Sequence, residues 1–400
     1  MKTALSFLLL WLSLSVSAQD TITSVITITT DSLTERQIRQ MQRQQRRDSI
    51  RAHKKIWASV LGGPSYTPEA SLGIGGALLA TFRVNKYDTV SQRSFLPAGF
   101  NVSINGTFVA AGAGALFFNE NRFRIYLQYG FRNEPTDFFG VGFAEIKENH
   151  KSDSTTGFKK NTLGFMPRFV WEIRKNIYAG GIFDINYNKV RDIGTVLKDN
   201  AYYRKYGKRF TNIGLGAVFQ YDSRDDVATP FAGLFLSATG LVYGKYLGGD
   251  YNYEMIELEY RQFRNVFQRR STLAWAVKTQ IGLDNVPYTQ LPMFGSPFDL
   301  RGYLWGKYRD KTMAYGIVEY RHMFMSREAY ERGEFWSKFG AVAWVGTGTI
   351  GKTPAGWNKW KFNYGAGLRI QLQPRKNFRL DIGKEPGEKW ALYLNMTEAF

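Results

Sequence analysis

The 400-residue sequence contains no cysteine, so a disulfide-stapled scaffold and a thiolate metal site are excluded. Histidine is nearly as scarce: His53, His150 and His322 are dispersed, with no HExxH or other paired-ligand spacing, and no metal or cofactor is expected. A G-x-S-x-G elbow is missing too. His322 and Ser326 are close in sequence but have no third group to orient them, so no catalytic residue is assigned and the chain is not expected to be an enzyme. Charged residues make up only 22% against 44% hydrophobic, which is not the composition of a disordered chain. Long apolar runs are lacking outside the first residues, whereas a helical membrane protein of this size would need several of about 20 residues.

The one apolar run, Ala4 to Val16, follows Met1-Lys2 and ends in Ser17-Ala18. A basic start, a short apolar core and a small-residue exit predict a cleavable secretory signal over 1–18. Residues 19–55 differ from the rest. A Thr/Ile/Val alternation gives way to an Arg/Gln tract in which Arg36, Arg39, Arg43, Arg46, Arg47, Arg51, Lys54 and Lys55 face one acid, Asp48. This tract reads as a solvated basic periplasmic segment, with a periplasmic partner protein or anionic lipid as the functional alternative. The formal net charge of +19 would suit nucleic acid, but the export signal argues against such a partner. Basic residues on rims and loops would instead meet the phosphates of outer-membrane lipid and lipopolysaccharide.

From residue 56 to 400 a period of two recurs. Leu163, Phe165, Phe169, Trp171 and Ile173 alternate with Thr162, Gly164, Arg168, Glu172 and Arg174. Ile213, Leu215, Ala217, Phe219 and Tyr221 alternate with Asn212, Gly214, Gly216, Gln220 and Asp222, and Ile256, Leu258 and Tyr260 alternate with Glu257, Glu259 and Arg261. Successive strand side chains point to opposite faces, so each segment has one oily and one polar face. The apolar rows end in aromatics, as at a lipid–water boundary, and the polar rows carry charge and glycine. In hydrocarbon every backbone group must be paired within the protein, so such a sheet has to close. The expectation is an all-β protein, a transmembrane antiparallel β-barrel of about 16 strands in the bacterial outer membrane. Segments 99–111, 136–147 and 389–400 are each predicted as one of these strands.

The longest gap between strands, about 285–311, contains Phe298-Asp299-Leu-Arg301-Gly302-Tyr303, and Glu319 follows in Met313-Ala-Tyr-Gly-Ile-Val-Glu-Tyr-Arg321. Here the sequence resembles the BamA-like outer-membrane assembly superfamily, the bacterial surface antigen family. Its members carry an Arg-Gly-Phe/Tyr tip on the loop between strands 11 and 12. The resemblance implies that this loop folds back into the lumen, with Arg301 as the luminal arginine, Gly302 the tight turn, Tyr303 the packing aromatic and Glu319 the acidic partner on strand 12. Tyr221-Asp222-Ser-Arg224-Asp225 resembles the family's Tyr-Asp-x-Arg-Asp strand end, and Thr136-Asp-Phe-Phe-Gly-Val-Gly142 its aromatic-Gly-x-Gly strand. The family's second acid, on strand 13, has no counterpart in Trp344-Val-Gly346-Thr-Gly348, so a two-acid clamp on Arg301 lacks its second member. The last segment ends in Phe400, the form of terminal aromatic that the barrel-assembly machinery recognises during biogenesis. Only residues 19–55 precede the barrel, so the resemblance implies a barrel-only member without periplasmic transport-associated domains. It implies insertion or translocation of outer-membrane components without covalent chemistry. A passive pore or structural barrel that retains the fold alone is the alternative.

Overall fold

A computed structural model describes residues 56–400, apart from 68–70, 86, 89, 150, 153, 268, 269, 388, 389 and 397. The expected signal over 1–18 and the basic segment 19–55 lie outside the described residues.

Sixteen strands form one sheet in which each pairs antiparallel with the next. The first eight are β1 (Ile56–Thr67), β2 (Ser71–Phe82), β3 (Ser94–Ser103), β4 (Phe108–Phe118), β5 (Phe123–Asp137), β6 (Gly157–Arg174), β7 (Ile177–Arg191) and β8 (Arg209–Asp222). Then come β9 (Gly233–Tyr243), β10 (Tyr253–Asn265) and β11 (Ser271–Asp284). Two short strands, β12 (Met293–Phe294) and β13 (Tyr308–Arg309), pair with each other inside the connection that follows β11. The wall resumes with β14 (Thr312–Met323), β15 (Phe339–Gly351), β16 (Lys361–Gln373), β17 (Lys376–Lys384) and β18 (Ala391–Met396). β1 and β18 come within 8 Å of each other between Cα atoms. Among the described residues no ladder joins them, so the wall has one seam.

The two faces have opposite chemistry, and their sense is inverted relative to a soluble sandwich. Large apolar side chains stand exposed on the outside: Val60 at 78%, Ile173 at 65% and Val345 at 60% are examples. Arg124, Asn212, Asp222, Glu319, Arg369 and Asp381 are buried on the inside. This is the arrangement of a transmembrane β-barrel, whose outer band meets lipid and whose interior is polar.

Three sequence expectations about the strands are corrected. Segment 99–111 is not one strand: β3 ends at Ser103, and a turn around Asn105-Gly106 starts β4. Asn105 accepts from Ser103 Oγ at 3.0 Å and from Thr107 Oγ1 at 2.7 Å, and Gly106 takes φ +83°, the hairpin chemistry of an Asn-Gly pair. Segment 136–147 is not a strand either. β5 closes at Asp137, Phe138 and Phe139 turn inward and are buried, and α1 (Gly142–Glu148) follows. One strand gained and one strand lost cancel, so the expected number of wall strands holds although two of its members differ. Segment 389–400 holds only the six residues of β18, and the chain leaves the wall after Met396.

At the end of the barrel that carries the β11–β14 loop, the connections from β5 onward are longer and two of them are partly α-helical. The β5–β6 connection holds α1, and the β7–β8 connection holds α2 (Thr195–Asp199) and α3 (Ala201–Tyr206). Their aromatics pack over the mouth: Tyr206 meets Tyr251 at 4.8 Å between ring centroids, and Phe210 meets Tyr288 of the loop at 5.8 Å. At the other end the turns are mostly short, except for 83–93, 223–232 and 324–338, the last of which contains α4 (Arg327–Glu331).

Candidate functional site

The β11–β14 loop runs inward and fills the interior beside β14–β18. Its turn is organised by Asp299, whose carboxylate accepts from Gly295 N at 2.9 Å, Ser296 N at 2.7 Å and Ser296 Oγ at 2.6 Å. Burial nevertheless raises the Asp299 pKa above the ordinary carboxylate value. Phe298 stays partly exposed with the Arg379 guanidinium 4.9 Å from its ring centre. Leu300 is fully buried.

Arg301 is fully buried. One guanidinium nitrogen donates to Asp381 Oδ2 at 2.7 Å, the other to Glu319 Oε2, and the plane lies 3.6 Å from the centre of the Trp344 ring. Its carbonyl accepts from Asn363 Nδ2 at 2.6 Å. Gly302 follows with φ +112°, and a Cβ there would sit 2.5 Å from the Lys384 main-chain nitrogen, so only glycine lets the loop lie this close to β17. Its N–H donates to Tyr393 Oη of β18 at 3.0 Å. Tyr303 donates to the Phe362 carbonyl at 2.6 Å and packs on Phe294 and Tyr308.

Glu319 is fully buried on the inner face of β14, while its neighbours Val318 and Tyr320 face outward. It also accepts from Arg321 Nε at 2.7 Å. A two-acid clamp on Arg301 therefore exists, contrary to the expectation from Gly346. The second acid comes from β17, not from β15. Gly346 instead makes room for the loop, since a Cβ at that position would meet Leu300 Cδ2 at 2.8 Å and Asn363 Oδ1 at 2.5 Å. Asp381-Ile-Gly383 does carry the Asp-x-Gly signal in the sequence, two wall strands later than the family spacing places it.

Sequence reasoning missed the rest of this cluster. Asp381 also accepts from Arg369 at 2.6 Å and Arg379 at 2.9 Å. Glu398 accepts from Arg369 Nε at 2.9 Å and Asn377 at 2.8 Å. Arg379 donates to the Pro297 carbonyl of the loop at 2.7 Å. Four guanidiniums (Arg301, Arg321, Arg369, Arg379) thus share three carboxylates (Glu319, Asp381, Glu398), all buried. Taking such charges out of water is repaid only by close multiple pairing. The network joins the loop, β14, β16, β17 and the last residues of the chain.

Phe400 does not continue the oily row of β18. It turns inward and is buried against Phe263, its ring 4.9 Å from the Arg321 guanidinium and its carbonyl accepting from Arg321 at 3.2 Å. Glu398, which breaks the apolar row in sequence, is buried in this same inward segment.

The strand-end motif forms a separate cluster at the opposite end of the barrel. Asp222 is buried and accepts from Arg124 at 2.6 Å and from Arg224 Nε at 2.8 Å. Tyr221 is half-buried on the other face of β8. Asp225 accepts from Arg375 at 2.7 Å and from the backbone N–H groups of Phe231 and Ala232. Elsewhere, Ser326 caps α4, and His322 bonds to Ser271 at 2.7 Å and not to Ser326. Of Thr136–Gly142, expected as a strand, only Thr136 and Asp137 lie in β5, and the rest is the entry to α1, with Gly140 and Gly142 both at positive φ.

The sequence matches the Omp85 superfamily domain over residues 73–395. No curated protein sequence matches the chain. Among solved structures, BamA from Haemophilus ducreyi lacking POTRA domains 1–3 superposes with a TM-score of 0.53 at 12% identity, covering 85% of this chain and 69% of that one. CdiB from Acinetobacter baumannii gives 0.52 at 9% identity, over 86% of this chain and 60% of that one. CdiB from Escherichia coli gives 0.51 at 10% identity, over 86% and 62%. This chain therefore spans less than two thirds of either CdiB. A family match over most of the barrel, together with an inward loop whose arginine is clasped by wall acids, shows that the chain belongs to the Omp85 superfamily of outer-membrane β-barrels.

Proposed function

We propose that the protein inserts or translocates outer-membrane components by presenting its unpaired seam to an incoming strand or lipid, with the β11–β14 loop as a lumen plug. The seam carries this reading. Among the described residues, fifteen neighbouring pairs in the wall have ladders, while β1 and β18 lie side by side without one. An unpaired strand edge is a template for another strand. The plug supports the same reading against a passive pore, because Arg301 and the aromatics over the mouth fill the space that a steady channel would need. The chemistry is non-covalent: pairing of strands and displacement of lipid.

Lipopolysaccharide phosphates fit the exposed Arg204, Lys205, Lys208, Arg209 and Lys245 at the loop end. Phe400 is read by the barrel-assembly machinery, and segment 19–55 docks a periplasmic partner. The signal 1–18 delivers the chain to that compartment.

The test is reconstitution in lipid vesicles with an unfolded outer-membrane barrel supplied as client. Faster folding of the client than in empty vesicles is expected, and the gain should vanish when a thiol pair introduced on β1 and β18 is cross-linked. Client folding no faster than in empty vesicles, with a large steady conductance in planar bilayers, would establish the passive-pore alternative.

A further inference from the structure

Among the described residues the seam is bare along the wall but bridged from inside at one end. The β16–β17 turn, with Arg375 at φ +59°, bypasses β18 and reaches β1 and β2. There Gln373 Nε2 donates to Ser59 Oγ at 2.8 Å and to the Leu79 carbonyl at 3.2 Å, and Gln373 Oε1 accepts from Thr81 Oγ1 at 2.7 Å. These contacts join the two sides of the seam.

A second element reinforces them. The 223–232 connection does not project into solvent as an ordinary hairpin turn would, and Ala228, Thr229 and Pro230 are buried. On one side Ala228 packs with Leu79, Phe95 and Phe117 of β2–β4, and Val227 N donates to Gln92 at 3.2 Å. On the other side Asp225 holds Arg375 at 2.7 Å and Asp226 holds Lys376 at 3.4 Å. The Arg375 guanidinium covers the Phe231 ring at 4.2 Å. One connection thus grips strands from both sides of the seam while being rooted in β8 and β9, far round the wall.

We propose that the β16–β17 turn and the 223–232 connection form an internal latch across the seam, which must release before β1 and β18 part. This rests on the reading of the seam as the working edge. The latch mixes buried amide bonds with a half-exposed ion pair. The ion pair is screened by salt, whereas the Gln373 bonds are not. The Tyr221–Asp225 motif acquires a role in it, because Asp222 and Arg224 fix the start of the connection so that Asp225 meets Arg375.

Amide hydrogen exchange on the full chain in lipid nanodiscs tests the latch without needing a client. The variant Gln373→Ala/Arg375→Asn, in which asparagine tolerates the positive φ, is expected to exchange β1 and β2 amides at least about tenfold faster. Exchange in β5–β8 should stay unchanged. A short bis-maleimide joining Ser59→Cys to Gln373→Cys, in a chain with no other cysteine, should slow β1 exchange below wild type. Unchanged β1 exchange, or acceleration spread evenly over the wall, would overturn the latch. If client folding is catalysed but β1 exchange does not respond, the latch fails and the assembly reading stands. If β1 is released but no client folds, the latch stands and the assembly reading fails.

Discussion

Removing the negative charge of Asp381 should cost more than removing the positive charge of Arg301, although the two form one ion pair. Asp381 receives three guanidiniums, from Arg301, Arg369 and Arg379. Asp381→Asn keeps the shape but leaves four buried cations to two acids, and stripping a buried charge of its partner costs about 3–5 kcal/mol. Arg301→Met leaves three cations to three acids. Glu319 then keeps Arg321, and Asp381 keeps Arg369 and Arg379. The lost charged hydrogen bonds, each about 1.5–3 kcal/mol, are offset by the relief of an excess buried cation, so a net loss of about 1–2 kcal/mol is expected. In the double variant the balance returns to that of the wild type, with one cation in excess. It should therefore be less destabilised than the two single effects summed, by about 1–2 kcal/mol. Urea unfolding from lipid vesicles, read by tryptophan fluorescence and by gel mobility of the folded form, measures all three. Arg301→Met costing as much as Asp381→Asn, or strict additivity in the double variant, would refute the charge-balance argument.

Gly302→Ala should displace the loop from β17, because its φ of +112° and its contact with Lys384 both exclude a Cβ. A destabilisation of about 1–3 kcal/mol, with new protease cleavage within 285–311, is expected in limited proteolysis. Phe400→Ala should open a cavity beside Phe263 and Arg321 and lower the unfolding midpoint by the equivalent of about 3 kcal/mol, measurable in the same urea assay. In the β2–β3 connection, the hydrogen bond from Ser91 lowers the Asp88 pKa to about 2 from 3.8. Its folded value is depressed, so its contribution is present above about pH 4 and fades as pH falls towards 2. Carboxyl NMR titration should find the lowered midpoint in the wild type and one moved back towards the ordinary value in Ser91→Ala, where the backbone N–H donors remain.

The wall is legible in the sequence because its signal is local. A strand such as β8 declares both faces in fourteen residues, and the glycines and Asp222 in its polar row, with Tyr221 ending the oily one, turn the reading from a soluble sandwich to lipid. Arg301 and Glu319 are legible because a loop tip and a strand position are short motifs. What escapes depends on pairing across long separations. Asp381 replaces an acid expected at Gly346, and nothing near residue 346 tells that a carboxylate 35 positions later occupies the same space. Asp225 and Arg375 meet across 150 residues. The hairpin within 99–111 is signalled locally all the same, since Asn105-Gly106 is itself a turn pair. Segment 136–147 misleads because Phe138 and Phe139 suit a strand as well as the interior plug they join.

The inward turn of the last few residues sets an order of events. Once the wall has formed, the ring of Phe400 lies beneath Arg321, and Glu398 is locked between Arg369 and Asn377. A receptor that grips this aromatic can do so only while the chain is still open, and must let go for the interior to settle. On the proposed reading of Phe400 as the assembly signal, the same residue thereby becomes part of the ballast that keeps the finished cylinder rigid.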